Sequence, residues 1–258
     1  MRTKFLITAI LLSAVFASTS FISLSSAYAA NTYVNQSTGT ISFSGYTWYV
    51  ENTGSKSTWD PGPNHWSSSS SNVWVDSSGW LHLQLTNSRG IWYCVNLNTV
   101  QALGYGTYSF VISNNAATMD KNVVLGLFSY LDDNHEVDIE FSTWGAKSGN
   151  NAWYTVQPPP YMSGINQQSF MAKLSGSYST HFFKWAQSSV FFESLQGQTS
   201  ITSPPPSSII HSFTSPVTLS AAGAEANINL WLFDGHAPSN GKTVAVVVKS
   251  FTFTPISS

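Results

Sequence analysis

The sequence predicts an all-β fold, a sandwich or barrel of antiparallel strands, on three observations. Short alternating or β-branched runs recur along the chain. Between them lie turn clusters such as Asp60-Pro61-Gly62-Pro63-Asn64, Asp76-Ser77-Ser78-Gly79 and Ser239-Asn240-Gly241. After residue 30 no ten-residue stretch carries the 3.6-residue apolar period of an amphipathic helix. Many short strands punctuated by turns imply two sheets whose apolar faces cover each other.

The first 29 residues read as a processing signal. Arg2 and Lys4 give a basic start, residues 5–16 are largely apolar, and Ala27-Tyr28-Ala29 fits a small-x-small cleavage site. The apolar run is short for a bilayer span, so cleavage after Ala29 and secretion are expected, with a retained anchor as the alternative. Residues 30–258 are expected to form a single domain. Strands are expected at 41–50, 72–75, 80–86, 106–112, 123–130 and 136–143, then at 153–156, 182–185, 190–192, 228–233 and 243–252. Pro158-Pro159-Pro160 stops one of them, since proline cannot continue a ladder. Residues 67–71 and 203–208 read as Ser- and Pro-rich loops, the first a solvated loop or a flexible lip beside a cleft. The second is not a domain linker, because the residues after it read as further strands of the same sheets. Cys94 has no partner for an intramolecular disulfide and lies in the apolar run Ile91-Trp92-Tyr93-Cys94-Val95, as a buried small hydrophobe would.

Only 9% of residues are charged, against about 25% in an average protein. Aromatics reach 14%, with 10 Trp and 11 Tyr, and the formal net charge is −2 with no basic block. That balance argues against nucleic acid or an anionic membrane as partner. A neutral, ring-rich surface suits ligands with apolar faces and many hydroxyls, carbohydrates among them. No His-Glu-x-x-His spacing, phosphate-cradling glycine loop or nucleophile elbow occurs, so neither a catalytic metal nor a cofactor is expected. A monomer is expected.

Against this background the stretch Glu136-Val137-Asp138-Ile139-Glu140 stands out. Strand alternation puts its three carboxylates on one face and sends Val137 and Ile139 into the core. Aligned like charges repel, and five of only 12 acidic residues (Asp132, Asp133, Glu136, Asp138, Glu140) fall within nine positions. The bland alternative is a solvated edge strand whose charges prevent aggregation. The chemical reading is a carboxylate pair flanking a glycosidic bond. Glu136 and Glu140 stand about 13 Å apart between Cα atoms at about 3.3 Å per residue, a gap that two Glu side chains leaning together reduce. Asp138, between them, can hydrogen-bond one and raise a neighbour's pKa. His135, next to Glu136, reads as structural, and Asp133 and Asp234 as solvated acids rather than metal ligands.

His135-Glu136-Val137-Asp138-Ile139-Glu140-Phe141 resembles the signature of glycoside hydrolase family 16, in its lichenase-type spacing. Leu103-Gly104-Tyr105-Gly106-Thr107-Tyr108, Phe183-Lys184-Trp185 with Val190-Phe191-Phe192, and Asn229-Leu230-Trp231 resemble that family's other strands in the same order. The resemblance implies a β-jelly roll of two curved antiparallel sheets with a concave substrate cleft. It also implies a retaining endo-β-glucanase-like hydrolase acting on a polysaccharide, with Glu136 as nucleophile, Glu140 as acid/base and Asp138 assisting. Trp231 and Asn229 would line the donor side, with Trp144, Trp185, Tyr154 and Gln157 as further substrate-binding candidates, and Trp66 and Trp92 behind them. In two respects the chain departs from the pattern. The Glu and Arg that bind glucan in lichenases are matched by Ser109 and Val111, and the Asp that helps hold a structural calcium in several relatives is replaced around Ser250, so calcium is not supported. A transglycosylase, a non-catalytic carbohydrate-binding jelly roll and a structural cell-wall or spore-coat protein are the other readings.

Overall fold

A computed structural model describes residues 30–217 and 219–256; the signal-like segment 1–29 lies outside them. In chain order the strands are β1 (Thr32–Tyr33), β2 (Thr40–Phe43), β3 (Tyr46–Val50), β4 (His65–Trp66), β5 (Val73–Val75) and β6 (Leu81–Ser88). Next come β7 (Ile91–Thr99), β8 (Gly106–Ser113), β9 (Val123–Asp132), β10 (His135–Phe141), β11 (Ala152–Val156) and β12 (Gln167–Phe170). The last five are β13 (Tyr178–Ala186), β14 (Ser189–Gln196), β15 (Ile209–Ser215), β16 (Glu225–Leu232) and β17 (Val244–Pro255).

These strands form two antiparallel sheets. The outer sheet runs β1-β5-β6-β17-β8-β13-β14-β15. The cleft sheet runs β2-β3-β7-β16-β9-β10-β11-β12. The tight β6–β7 hairpin links the sheets, and the short β4 adds to β7 in parallel. Because β17 pairs with both β6 and β8, the end of the described chain is the middle of the outer sheet.

The facing sides of the sheets meet in one core. Trp48, Trp66, Trp185, Tyr108, Tyr154, Phe110, Phe141, Phe183, Phe192 and Phe251 are all fully buried there. Many of these rings pack in pairs: Trp48 against Phe251 edge-on at 5.2 Å, Tyr108 stacked on Phe183 at 4.7 Å, Tyr154 stacked on Phe192 at 5.0 Å. Each such pair adds roughly 0.5–1.5 kcal/mol beyond its burial. With Cys94 free and buried, this packing takes the place of a cross-link.

The stretch 41–50, expected as one strand, is the β2–β3 hairpin. It reverses at Ser44-Gly45, where both residues have positive φ (52° and 82°), the backbone of a hairpin turn whose twist matches its strands. The edge strands β12 and β15 were not expected. Gln167-Gln168-Ser169 carries little of the β-branched apolar signal that marks a strand, whereas β15 does carry it in Ile209-Ile210 and Phe213-Thr214, interrupted by the polar pair His211-Ser212.

Candidate active site

β10 lies between β9 and β11, and its register fixes what stands beside each acid. Glu136 is opposite Tyr130; Asp138 is flanked by Phe128 and Thr155; Glu140 is flanked by Gly126 and Trp153. The rows continue across β16 and β7, through Asn227 to Asn98 and through Asn229 to Asn96. One row is therefore Trp153, Glu140, Gly126, Asn229, Asn96, read straight across five strands. Alternation sends Val137 and Ile139, both fully buried, to the opposite side.

The acid-bearing face opens into a cleft of about 590 Å³. Three indoles wall it: Trp144 stands 6.1 Å from Trp231 and 6.3 Å from Trp153. Trp144 holds a positive φ of 50°, an uncommon conformation for a bulky residue. Its backbone N–H donates to Ser142 Oγ at 2.9 Å, and the indole N–H of Trp153 donates to the Ser142 carbonyl at 3.0 Å. Beneath the floor Gly126 gives the Asn229 amide the room it occupies. Its N–H donates to Asn229 Oδ1 at 3.0 Å, and a Cβ at this position would meet that oxygen at 2.4 Å. On the far side Asn96 donates to Glu51 Oε2 at 3.0 Å.

Burial dominates the electrostatics, because a carboxylate loses its hydration there. Burial pushes Glu140 up to about 8, with the Glu136 charge adding to it. Burial also raises Glu136, to about 7, with Asp133 adding and a hydrogen bond to Asp138 opposing. Asp138 is raised well above the usual carboxylate range by burial, then by the charges of Glu136 and Glu140. The bond between Asp138 and Glu136 stabilises the anion on Glu136 and the proton on Asp138. All three acids of the cleft floor therefore hold their protons to higher pH than free carboxyls do. The amide of Gln157, also at the cleft, partly offsets the rise at Asp138, and its Oε1 accepts from the Tyr161 hydroxyl at 2.8 Å. Tyr130 donates its hydroxyl to Asp133 Oδ1 at 3.0 Å.

Two polar atoms of the cleft residues are buried without a partner, the Trp231 indole N–H and Asn96 Oδ1. Each such atom costs roughly 1–3 kcal/mol where nothing bonds it.

Of the residues singled out in the sequence, Glu136, Asp138, Glu140, Trp231, Asn229, Trp144 and Gln157 line the cleft. Tyr154 and Trp185 do not. Both are fully buried between the sheets, Tyr154 donating its hydroxyl to Ser194 Oγ at 2.6 Å. Alternation explains the first: Gln157 and Trp153 share a face of β11, and Tyr154 points the other way. Trp66 is likewise a core residue, and Trp92 packs against the core. Ser109 and Val111 lie on β8 in the outer sheet, so the positions facing the cleft across from Asn229 and Asn227 belong instead to Asn96 and Asn98 on β7. The sequence reading also passed over Trp153, Thr155, Phe128, Tyr130, Asn227 and Glu51, all of which line the cleft. His135 bonds Asp132 at 2.7 Å just before a register shift at Glu136. Among the described residues no group of three or more His, Cys, Asp or Glu is placed to hold a metal ion, and no helix is long and apolar enough to cross a membrane.

Fold and cleft together define a β-jelly roll with a carboxylate-floored groove on one sheet. No protein-family model and no curated protein matches the sequence. Among solved structures, a Bacillus licheniformis β-glucanase is similar at 20% identity and a TM-score of 0.56, over 88% of this chain and 97% of that one. A β-1,3-glucanase of Mycobacterium marinum is similar at 15% identity and 0.55, over 78% and 88%. Rv0315 of Mycobacterium tuberculosis, described as an immunostimulatory antigen and pseudo β-1,3-glucanase, is similar at 17% identity and 0.56, over 78% and 88%. At such identities the likeness is one of fold.

Proposed function

We propose that the protein is a secreted retaining glycoside hydrolase that cleaves β-glucan-type polysaccharide by double displacement. One observation carries this reading. Glu136, Asp138 and Glu140 stand side by side on one face of β10, on the floor of a cleft walled by the indoles of Trp144, Trp153 and Trp231. A carboxyl pair beside flat apolar faces is the equipment for glycosidic cleavage, and burial raises the proton affinity of both glutamates, as a group that must donate a proton requires.

In the first step Glu136 attacks the anomeric carbon. The bond to the leaving oxygen breaks, and that oxygen takes the proton of Glu140, giving a glycosyl ester on Glu136. Forming the ester removes the Glu136 charge that had helped hold the proton on Glu140. Glu140 therefore becomes the base that accepts a proton from water as its oxygen attacks the same carbon and releases Glu136. If a sugar hydroxyl takes the place of water, the same step is transglycosylation. Trp231, Trp144 and Trp153 offer flat faces to pyranose rings, and Asn229, Asn227 and Asn96 offer amides to their hydroxyls.

The test is a reducing-sugar screen over laminarin, lichenan, agarose, carrageenan and xyloglucan, with product configuration followed by NMR. Retained configuration, abolished by Glu136→Gln in a folded protein, supports the scheme; inversion excludes it. The likeness to Rv0315, a pseudo β-1,3-glucanase by its description, favours one second reading, a carbohydrate-binding jelly roll without chemistry. Glycan affinity with no reducing ends released over long incubation would establish that alternative.

A further inference from the structure

A second concavity lies outside the cleft. It measures about 560 Å³, within the roughly 300–1,000 Å³ typical of small-ligand sites. Its wall is built from three segments distant in sequence: the end of β1 with the residues after it, the stretch following β3, and the serine run that leaves β4, with Tyr93 of β7 beside them.

Its chemistry is specific. No charged side chain lines it. The lining consists of two tyrosines, Tyr33 and Tyr93, with Ser67 to Ser70, Gln36 and Asn52 supplying hydroxyls and amides. Tyr33, which lines this concavity, is 51% exposed, so its ring is open to a ligand. The polar lining is also anchored. Gln36 donates to the carbonyls of Val34 and Ser68, each at 3.2 Å, joining the β1 side to the serine run, and Ser69 N donates to Ser67 Oγ at 3.2 Å. Asn52 Oδ1 accepts from Gly54 N at 3.2 Å, which leaves its NH2 group as the free end. An anion would find no cation here and a cation no carboxylate. A neutral, polyhydroxylated ring would find stacking faces and matched hydrogen-bonding groups.

The groove is also tied to the cleft by the chain itself. Glu51 lines the cleft, and Asn52, Gly54 and Ser55, immediately following, line the groove. We infer that this groove is a second, non-catalytic binding site for a neutral glycan chain, with Tyr33 and Tyr93 as its stacking faces. It would hold polymer near the cleft and contribute nothing to bond cleavage. The inference rests on the polysaccharide reading of the cleft only for the identity of the ligand class.

The experiment is affinity gel electrophoresis in laminarin, lichenan, agarose, xyloglucan and sulfated carrageenan. Every sample carries Glu136→Gln, so that polymer is not digested. Tyr33→Ala with Tyr93→Ala is compared with the parent, with Trp231→Ala as a cleft-disabled reference and Tyr93→Phe as a ring-preserving control. Thermal melts confirm folding, and the exposed Tyr33→Ala alone serves if the double variant does not fold. The expected result is retardation by at least one neutral polymer that survives Trp231→Ala. That retardation falls at least threefold on loss of the tyrosines and is kept by Tyr93→Phe. Unchanged retardation in the tyrosine variants, equal retardation by carrageenan, or none in the parent overturns the inference. The two readings fail separately: wild-type hydrolysis with tyrosine variants that bind normally removes only the groove, and groove binding without any hydrolysis removes only the catalytic scheme.

Discussion

Trp153 stands directly across from Glu140 in the register of β10 and β11. Its indole N–H is tied to the Ser142 carbonyl at 3.0 Å, which fixes the ring beside the carboxyl assigned to the leaving group. Removing this ring should cost the leaving-group side of the site. Trp153→Ala is expected to lower kcat/KM on a polymeric substrate about tenfold, equivalent to about 1.4 kcal/mol, with Trp153→Phe much milder. Steady-state kinetics on a chromogenic glycoside with a non-sugar leaving group should show a smaller loss. Equal losses on both substrates would mean that the ring does not contact the departing sugar.

The acid pair sets a pH window. On the proposed scheme the active form has Glu136 ionised and Glu140 protonated, so kcat/KM should rise near pH 7 and fall near pH 8, as a narrow bell. In Glu136→Gln the neighbouring charge is gone, and the Glu140 carboxyl should titrate below about 8 in a carbon-detected NMR experiment. A midpoint that stays put would show that the two acids do not sense each other.

Stability should move with the same groups. A carboxyl raised in the folded state stabilises fully below its unfolded pKa, near 4.5, and that contribution is lost as pH rises through the folded value, about 8 for Glu140. Glu140→Gln removes the charge that must be buried at high pH. The variant should therefore melt several degrees higher than wild type at pH 9, at roughly 2–4 °C per kcal/mol, with little difference at pH 4. Scanning calorimetry at the two pH values decides it.

His181 works in the opposite direction. It is fully buried between the hydroxyls of Ser179 and Ser194, each 2.7 Å away, and burial pushes its pKa down to about 3. The unfolded chain takes up this proton below about pH 6.5 while the folded protein refuses it until about 3, so stability falls as pH drops through that interval. His181→Asn should lose roughly 1–3 kcal/mol at pH 7, through disrupted hydroxyl partners, yet show a flatter decline on acidification. Urea melts at pH 7, 5 and 4 would expose a parallel decline, which would exonerate the histidine.

At Gly126 the reason for glycine is space. An added methyl would meet Asn229 Oδ1 at 2.4 Å and push the amide off the floor. Gly126→Ala should reduce kcat/KM by at least tenfold in a protein that still folds, and a crystal structure of the variant should show Asn229 displaced.

The acidic strand was legible because alternation is a local property: a period of two places Glu136, Asp138 and Glu140 together with no knowledge of the fold. The same rule, applied with Gln157 as its phase marker, puts Trp153 and Thr155 on the cleft face and Tyr154 in the core; choosing Tyr154 for its ring ignored that phase. Trp185 was misplaced for a related reason, since an aromatic on a sandwich strand reads alike whether it faces the core or a ligand. Asn96 and Glu51 were not legible at all. They reach the cleft because β7 pairs with β16 and Glu51 follows β3 along the edge of β7, and such long-range pairing leaves no mark within either segment.

The position of β17 has a consequence for how the molecule comes into being. Its pairing with both β6 and β8 means that the outer sheet remains split in two until β17 is in place. Early strands must wait, with their edges unpaired and prone to wrong partners, and such non-local pairing is intrinsically slow. Loss of β17 would therefore abolish the fold rather than trim it.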